Sequence, residues 1–267
     1  MSLTIATYNV NSVKARLPLI LEWVTEVRPD ILCLQEIKCL DEAFPNEAFD
    51  SLGYQIITHG QKSYNGVAIL SKYPFMDVKK GFNDEKLDIQ SRYIEAVIDA
   101  PLVVRVGCLY APNGNPIGTE KYEFKQSWLE KLRDHAKTLL GYEENTILCG
   151  DYNIIPEAID CHRESVWIGD ALYQPNIRAQ FRALKHLGYV DAFEALPNHD
   201  NRYTFWDYQA GAWPKNEGIR IDHHLLSPNA ADRLEGITIH KQARGATHES
   251  AKPSDHVPVS IALSTNS

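Results

Sequence analysis

KPSDHVPVSIAL, residues 252–263, sets an acid and an imidazole, Asp255 and His256, in a turn bounded by Pro253 and Pro258, then runs directly into alternating apolar residues. Alternation of period two marks a buried strand, so this is a reactive pair mounted on a rigid support. Adjacent side chains on extended backbone point to opposite sides, so Asp255 and His256 serve different partners. Asp255 suits a hard cation, which takes carboxylate oxygens. His256 suits proton transfer or stabilisation of a phosphate.

The same design recurs upstream. TILCGDYNIIP, 146–156, is a short apolar run ending at Gly150, after which Asp151 and Asn153 stand two apart and face one point. ILCLQEIK, 31–38, is too brief for a helix and closes on Gln35 and Glu36; the run 3–10 ends in the polar cluster Asn9, Val10, Asn11, Ser12. RIDHHLLS, 220–227, places Asp222 at the edge of another apolar run. Segments 92–99 and 103–110 pair as a hairpin through Ala100 and Pro101. The second ends in LYAPNGNP, 109–116, where Pro and Gly stop the pairing and lift Tyr110 to the sheet edge.

Two more strand-like runs, 54–58 and 67–71, flank the polar loop HGQKSYNG, and the weakly periodic stretch 72–90 reads as loop. Helical spacing covers about 16–27, stopped by Pro29, then 120–140 and 176–187. There is no Pro/Gly/Ser linker and no repeat of fixed period, although strand-rich halves, 3–110 and 146–263, suggest two similar sheets. Many strands with a few outlying helices predict a single α/β (α+β) domain over 1–267, two packed sheets with helices outside.

Composition narrows the class. The 267 residues carry 27 basic and 35 acidic side chains, a net charge of −8, which does not advertise a nucleic-acid binder but leaves room for a local basic surface. Five cysteines show no CxxC spacing, which favours reduced thiols and a reducing compartment. MSLTIATYNV has no export-signal pattern, and no apolar run approaches membrane-spanning length. The expectation is a cytoplasmic protein with no membrane partner.

Carboxylates far apart in sequence, each after an apolar run, describe loops converging at one end of a sheet core. Like charges that close repel by on the order of several kcal/mol at low effective dielectric, and a divalent ion is the natural compensation. Oxygen donors without cysteine favour magnesium or manganese over zinc. A cation, a carboxylate base and a histidine suffice to hydrolyse a phosphate ester.

The chain resembles the exodeoxyribonuclease III and abasic-site (AP) endonuclease family of the DNase I-like endonuclease/exonuclease/phosphatase superfamily. The likeness runs through IATYNVNSVKAR, LQEIK, HGQKSYNGVAILSK, the segment around Arg92, LYAPNG, ILCGDYNIIP, YTFWDY, RIDHHLLS and KPSDHVP, in order over nearly the whole chain. It implies a four-layer αββα sandwich with two mixed β-sheets. It further implies a nuclease cutting 5′ to abasic sites, with 3′–5′ exonuclease and 3′-end-cleaning activity on double-stranded DNA. The cofactor would be Mg2+, replaceable by Mn2+, and the enzyme a monomer.

Carried over by position, Glu36 ligates the metal with Asp255, Asp151 and Asn153 near it and Asn11 a further candidate. Asp151 orients or deprotonates the attacking water, held by Asn153 and Asn9. His256, held by Asp222, contacts the scissile phosphate, and Tyr110 donates to the same group. Lys62, Asn65, Arg92, Asn113 and Lys121 are expected to grip the DNA backbone. Phe205, Trp206, Ile219 and Ile221 are expected to line a pocket for the extrahelical abasic sugar. The competing reading keeps the chemistry and changes the substrate: a phosphatase or phosphodiesterase for inositol phosphates, lipids or nucleotides.

Overall fold

Strands with unbroken apolar runs form where both faces of a sheet are covered, and that condition organises this molecule. The computed structural model describes residues 1–196 and 202–266. The strands are β1 (Ser2–Asn9), β2 (Ile31–Gln35), β3 (Gln55–His59), β4 (Val67–Ser71), β5 (Phe75–Lys80), β6 (Tyr93–Ile98), β7 (Val104–Tyr110), β8 (Thr146–Asp151), β9 (Val190–Asp191), β10 (Asp222–Leu226), β11 (Leu234–Ile239) and β12 (Val259–Ser264). The α-helices are α1 (Val13–Val27), α2 (Asn46–Asp50), α3 (Glu120–Leu140), α4 (Glu164–Trp167), α5 (Pro175–Leu187), α6 (Ala192–Ala195) and α7 (Pro228–Ala231).

Among the described residues the strands make two six-stranded sheets, ordered β11-β12-β1-β2-β4-β3 and β5-β6-β7-β8-β10-β9. Ile5, Ile31, Cys33 and Ile69 of the first sheet meet Ile94, Val106, Cys108 and Ile147 of the second in the inner core. The alternate residues, Ala6, Tyr8, Leu32, Leu34 and Leu70, face outward onto Ile20, Trp23 and Val24 of α1. On the opposite outer face Leu109, Leu148 and Leu225 pack on Trp128, Leu129 and Leu132 of α3 and Phe181 of α5. This is the αββα layering expected from the sequence. Among the described residues, no helix is long and apolar enough to cross a membrane.

Each sheet holds one parallel pair, β1 with β2 and β7 with β8, while its other pairings are antiparallel. Parallel partners end at the same edge. Asn9, Gln35, Tyr110 and Asp151 are the last residues of those four strands, in register as Asn9 with Gln35 and Tyr110 with Asp151. β10 runs antiparallel to β8 and begins there, with Asp222 opposite Asp151. β7 and β8 come so close at this edge that a Cβ on Gly150 (φ +150°) would lie 1.9 Å from the Leu109 carbonyl oxygen. Only glycine fits.

Two expectations are corrected, and one strand, β11, appears where none was expected. Stretch 72–90 contains β5, an edge strand whose Met76 and Val78 are exposed, so it lacks the apolar alternation that reveals a strand. β11 was likewise hidden by exposed positions on an edge. The two halves of the sequence do not each build a sheet: β5, β6 and β7 join the second sheet, while β11 and β12 return to the first. All five cysteines are free and buried.

Candidate active site

The strand ends deliver their polar groups to one place. Asn9 is fully buried, and its Nδ2 donates to Glu36 Oε1 at 2.8 Å and Asp151 Oδ2 at 2.9 Å, joining the two sheets. Glu36 follows β2 with left-handed backbone (φ 53°), which turns its carboxylate back over the strand ends. Asn153, also left-handed (φ 49°), donates its N–H to Asp151 Oδ1 at 2.8 Å and its Nδ2 to the Ala111 carbonyl at 2.9 Å. His256 Nδ1 lies 2.9 Å from Asp222 Oδ2, and its Nε2 faces Asp151 Oδ2 at 3.7 Å. Asp255 points elsewhere, accepting from Asn11 Nδ2 at 3.1 Å.

Ligand atoms of Glu36, Asp151 and His256 all lie within 4.8 Å of one another. Residues separated by up to 220 positions thus share one pocket of charge. A family model described as the endonuclease/exonuclease/phosphatase family matches residues 6–256. Exodeoxyribonuclease III of Haemophilus influenzae is 33% identical over 270 residues, covering 95% of this chain and 97% of its own. Among solved structures, an AP endonuclease from Archaeoglobus fulgidus superposes with a TM-score of 0.91 at 34% identity, covering 98% of this chain and 99% of the other. The 3′ phosphatase NExo from Neisseria, bound to product DNA hairpin, gives 0.91 at 31%, with coverage of 98% and 99%.

The chain belongs to the exonuclease III/AP endonuclease family.

It is a hydrolase, a nuclease of that family with its DNase I-like fold. The electrostatics of this family member's strand edge follow from burial and pairing. Burial pushes Asp151 up to about 7, opposed by His256 and reinforced by Asp222 and Glu36. Burial alone lowers His256, but Asp222 and Asp151 outweigh it and raise the ring to about 10. Its Nδ1 proton goes to Asp222, leaving Nε2–H toward the site. Burial raises Glu36, yet the Lys38 ammonium at 2.8 Å, with Asn9, holds it below the usual carboxylate range.

Lys38 also donates to Asn11 Oδ1 at 2.6 Å. A cation therefore already sits beside Glu36, and the buried carboxylates around it still leave Asp151 poorly compensated. Such an oxygen-rich, negatively charged set fits a hard divalent ion. Glu36 and Asp151 are the natural holders. Asp255 and Asn11 adjoin them through Lys38, and Asn153 Oδ1 accepts from Asn113 Nδ2 at 3.3 Å.

Tyr110 sits at the rim, where burial and then Glu36 push its hydroxyl well above the ordinary value. Arg92, expected to grip DNA, is largely buried. Its guanidinium lies 4.6 Å from the Tyr110 ring centroid and donates to the Tyr110 carbonyl at 3.1 Å and to Gln90 at 2.6 Å, so it braces Tyr110. Asn65, Arg92, Asn113 and Lys121 nevertheless line one cleft of about 670 Å³ beside the site; Lys62 is exposed outside that lining.

The four expected pocket residues divide. Phe205 is half-buried with its ring 5.0 Å from His256. Trp206, Ile219 and Ile221 are buried, Trp206 against Ala212 and Val257, and the two isoleucines with Ile155 and Leu172. Phe205, bridged to Ile219, packs at the edge of the isoleucine cluster and is the one of the four that reaches the surface. Sequence reasoning passed over Lys38, Thr204 and Lys125. The Thr204 hydroxyl accepts from the Ile221 and Asp222 N–H groups at 3.1 and 3.2 Å. Lys125 had a legible signal: a lysine on the apolar stripe of α3, three residues from both Tyr122 and Trp128.

Proposed function

We propose that this chain is a divalent-metal-dependent DNA repair nuclease. It hydrolyses the phosphodiester 5′ to an abasic site in double-stranded DNA and processes 3′ ends by exonucleolytic or phosphatase cleavage. Residues 1–267 act as one domain. The observation that carries this reading is the hydrogen-bonded chain from Glu36 through Asn9 to Asp151, with His256 and Asp222 across from it. The relative from Neisseria, captured on product DNA, supports the substrate class.

A bound Mg2+ or Mn2+ would supply positive charge to the phosphate and the departing oxygen. The protein's own groups do the rest. Asp151, poised near neutral pH by burial, accepts a proton from water as that oxygen bonds to phosphorus. Asn9 and the Asn153 N–H occupy Asp151's two oxygens from either side and fix its orientation. His256, protonated and locked by Asp222, offers Nε2–H to a non-bridging phosphate oxygen as negative charge accumulates. Tyr110, braced by Arg92, donates from the opposite side. The P–O3′ bond breaks and the departing O3′ takes up a proton from solvent water, leaving a 3′-hydroxyl and a 5′-phosphate on the abasic sugar.

Phe205, against His256, supplies an apolar wall for a base-less sugar. The cleft holding Asn65, Asn113 and Lys121 gives the backbone a sequence-independent track. The deciding assay offers a duplex with one abasic site, a 3′-phosphate duplex and an inositol phosphate, each with magnesium and with EDTA. Magnesium-dependent nicking at the abasic site is expected. Turnover of the inositol phosphate alone would sink the repair reading in favour of a small-molecule phosphatase, and the product ratio on the two duplexes sets endonuclease against 3′-end processing.

A further inference from the structure

We infer that Lys125 is a positioning residue for this reaction: its buried ammonium clamps the 110–113 loop to the 151–153 turn and thereby sets how Asn153 holds Asp151. The inference rests on the nuclease reading above. Lys125 is fully buried on α3. Its Nζ donates to the carbonyls of Asn153 at 2.6 Å, Asn113 at 2.9 Å and Ala171 at 3.2 Å. Burial pushes the Lys125 amine down to about 7, opposed by Asp151 and Asp170; three carbonyls from three separate loops are the acceptors that favour its charged form, whose three protons they match.

An apolar side chain would fill the same helical stripe without the cost of desolvating a charge. The ammonium is therefore there for what it holds. Asn153 has every polar atom engaged: carbonyl to Lys125, N–H to Asp151, Nδ2 to Ala111, Oδ1 from Asn113. Its left-handed backbone leaves it dependent on those partners. The loop lies directly on the lysine stem, since a Cβ on Gly114 (φ +85°) would fall 2.6 Å from Lys125 Cδ. The third loop has its own latch, Asn115 to Asp170 at 3.1 Å and the Ala171 N–H to Asn115 at 3.0 Å. Removing the ammonium thus frees the Asn153 end and leaves the Asn115 end tied.

The test is a double-mutant cycle of Lys125→Met with Asn153→Ala, with Lys125→Arg alongside, on an abasic duplex with magnesium. Lys125→Met is expected to lower kcat by about 10–100-fold with KM within about threefold, and Lys125→Arg to recover most of the loss. In the Asn153→Ala background the same change should cost under about threefold. Amide hydrogen exchange at 151–153 should quicken in Lys125→Met. Equal losses in both backgrounds, or unchanged kcat and unchanged exchange, overturn the clamp. Should Lys125→Met fail to fold, Lys125→Gln takes its place in the cycle with the same expectations. An unmodified enzyme without magnesium-dependent cleavage overturns the nuclease reading instead, and the exchange measurement then decides the clamp by itself.

Discussion

Two buried charge clusters flank the short stretch Arg220–Ile221–Asp222. In one, Arg220 donates to Asp160 at 2.8 Å and to Asp191 at 2.8 Å, with His223 Nδ1 at 3.0 Å. Burial raises both carboxyls, but Arg220 more than offsets it and holds them below their usual range. In the other, Asp222 meets His256, which faces Asp151, and Asp151 is left high. The residue types are nearly the same. With Arg202 also donating to Asp160 at 2.8 Å, the first cluster sets two guanidinium groups against two carboxylates and ties Asp160 and Asp191 to the start of β10; the second sets Glu36, Asp151 and Asp222 against Lys38 and His256 and leaves a carboxylate wanting a cation.

Replacing Asp151 by Asn should have the largest effect and separates the two most sharply. The rate on an abasic duplex is expected to fall by about 10³–10⁴-fold, with a thermal midpoint unchanged or higher because an uncompensated buried carboxylate is gone. A midpoint that collapses would put Asp151 in the structural class. Arg220→Met is the reciprocal experiment. It strands Asp160 and Asp191 in the interior, at a cost of about 3–5 kcal/mol by denaturant titration, while kcat of the folded fraction stays within about tenfold.

Stability against pH gives the next contrast. Burial and Arg220 lower His223 to about 4, so it is neutral in the fold, whereas the unfolded chain takes up a proton below about 6.5. Its contribution is complete above that value and drains away between about 6.5 and about 4, at about 1.4 kcal/mol for each pH unit. His256 runs the other way. Raised to about 10, it contributes fully below about 6.5 and loses that contribution as pH climbs toward 10. Melting curves from pH 4 to 10 should show a shallower acid slope in His223→Gln, with His224 and His240, lowered by burial to about 3 and about 4, retaining part of it, and a shallower alkaline slope in His256→Gln. The smallest effect is magnesium itself. At a hundredfold excess over its dissociation constant it should add about 3 kcal/mol or less, measured by the shift in midpoint, and that increment should shrink in Glu36→Gln and persist in Arg220→Met.

The contrast also explains what could be read before any coordinates. Glu36, Asp151, Asp222 and His256 each end or begin an apolar run, and strand alternation fixes where such a residue must surface. Arg92, expected on the DNA backbone, also stacks on the Tyr110 ring, a contact between two strand ends that the sequence does not display. Trp206, Ile219 and Ile221 read as pocket residues from the sequence, and their burial was not legible there because it depends on long-range pairings such as the bridges from Phe205 to Ile219 and His256. β5 and β11 escaped because edge strands expose one face. Lys38 shows the opposite failure: it lay inside a recognised motif, but its bridge from Glu36 to Asn11 is a matter of three dimensions.

β12 lies between β11 and β1, and His256 is carried in just ahead of it. As the chain leaves the ribosome, β1 keeps a bare flank until Val259–Ser264 emerges and zips it closed. The His256 imidazole arrives with that closing strand, so a chain halted before it carries Glu36, Asp151 and Asp222 without their histidine. Chains halted before residue 252 should thus be inert toward DNA and sticky along β1, and potency would switch on only once residues 252–264 have joined the sheet.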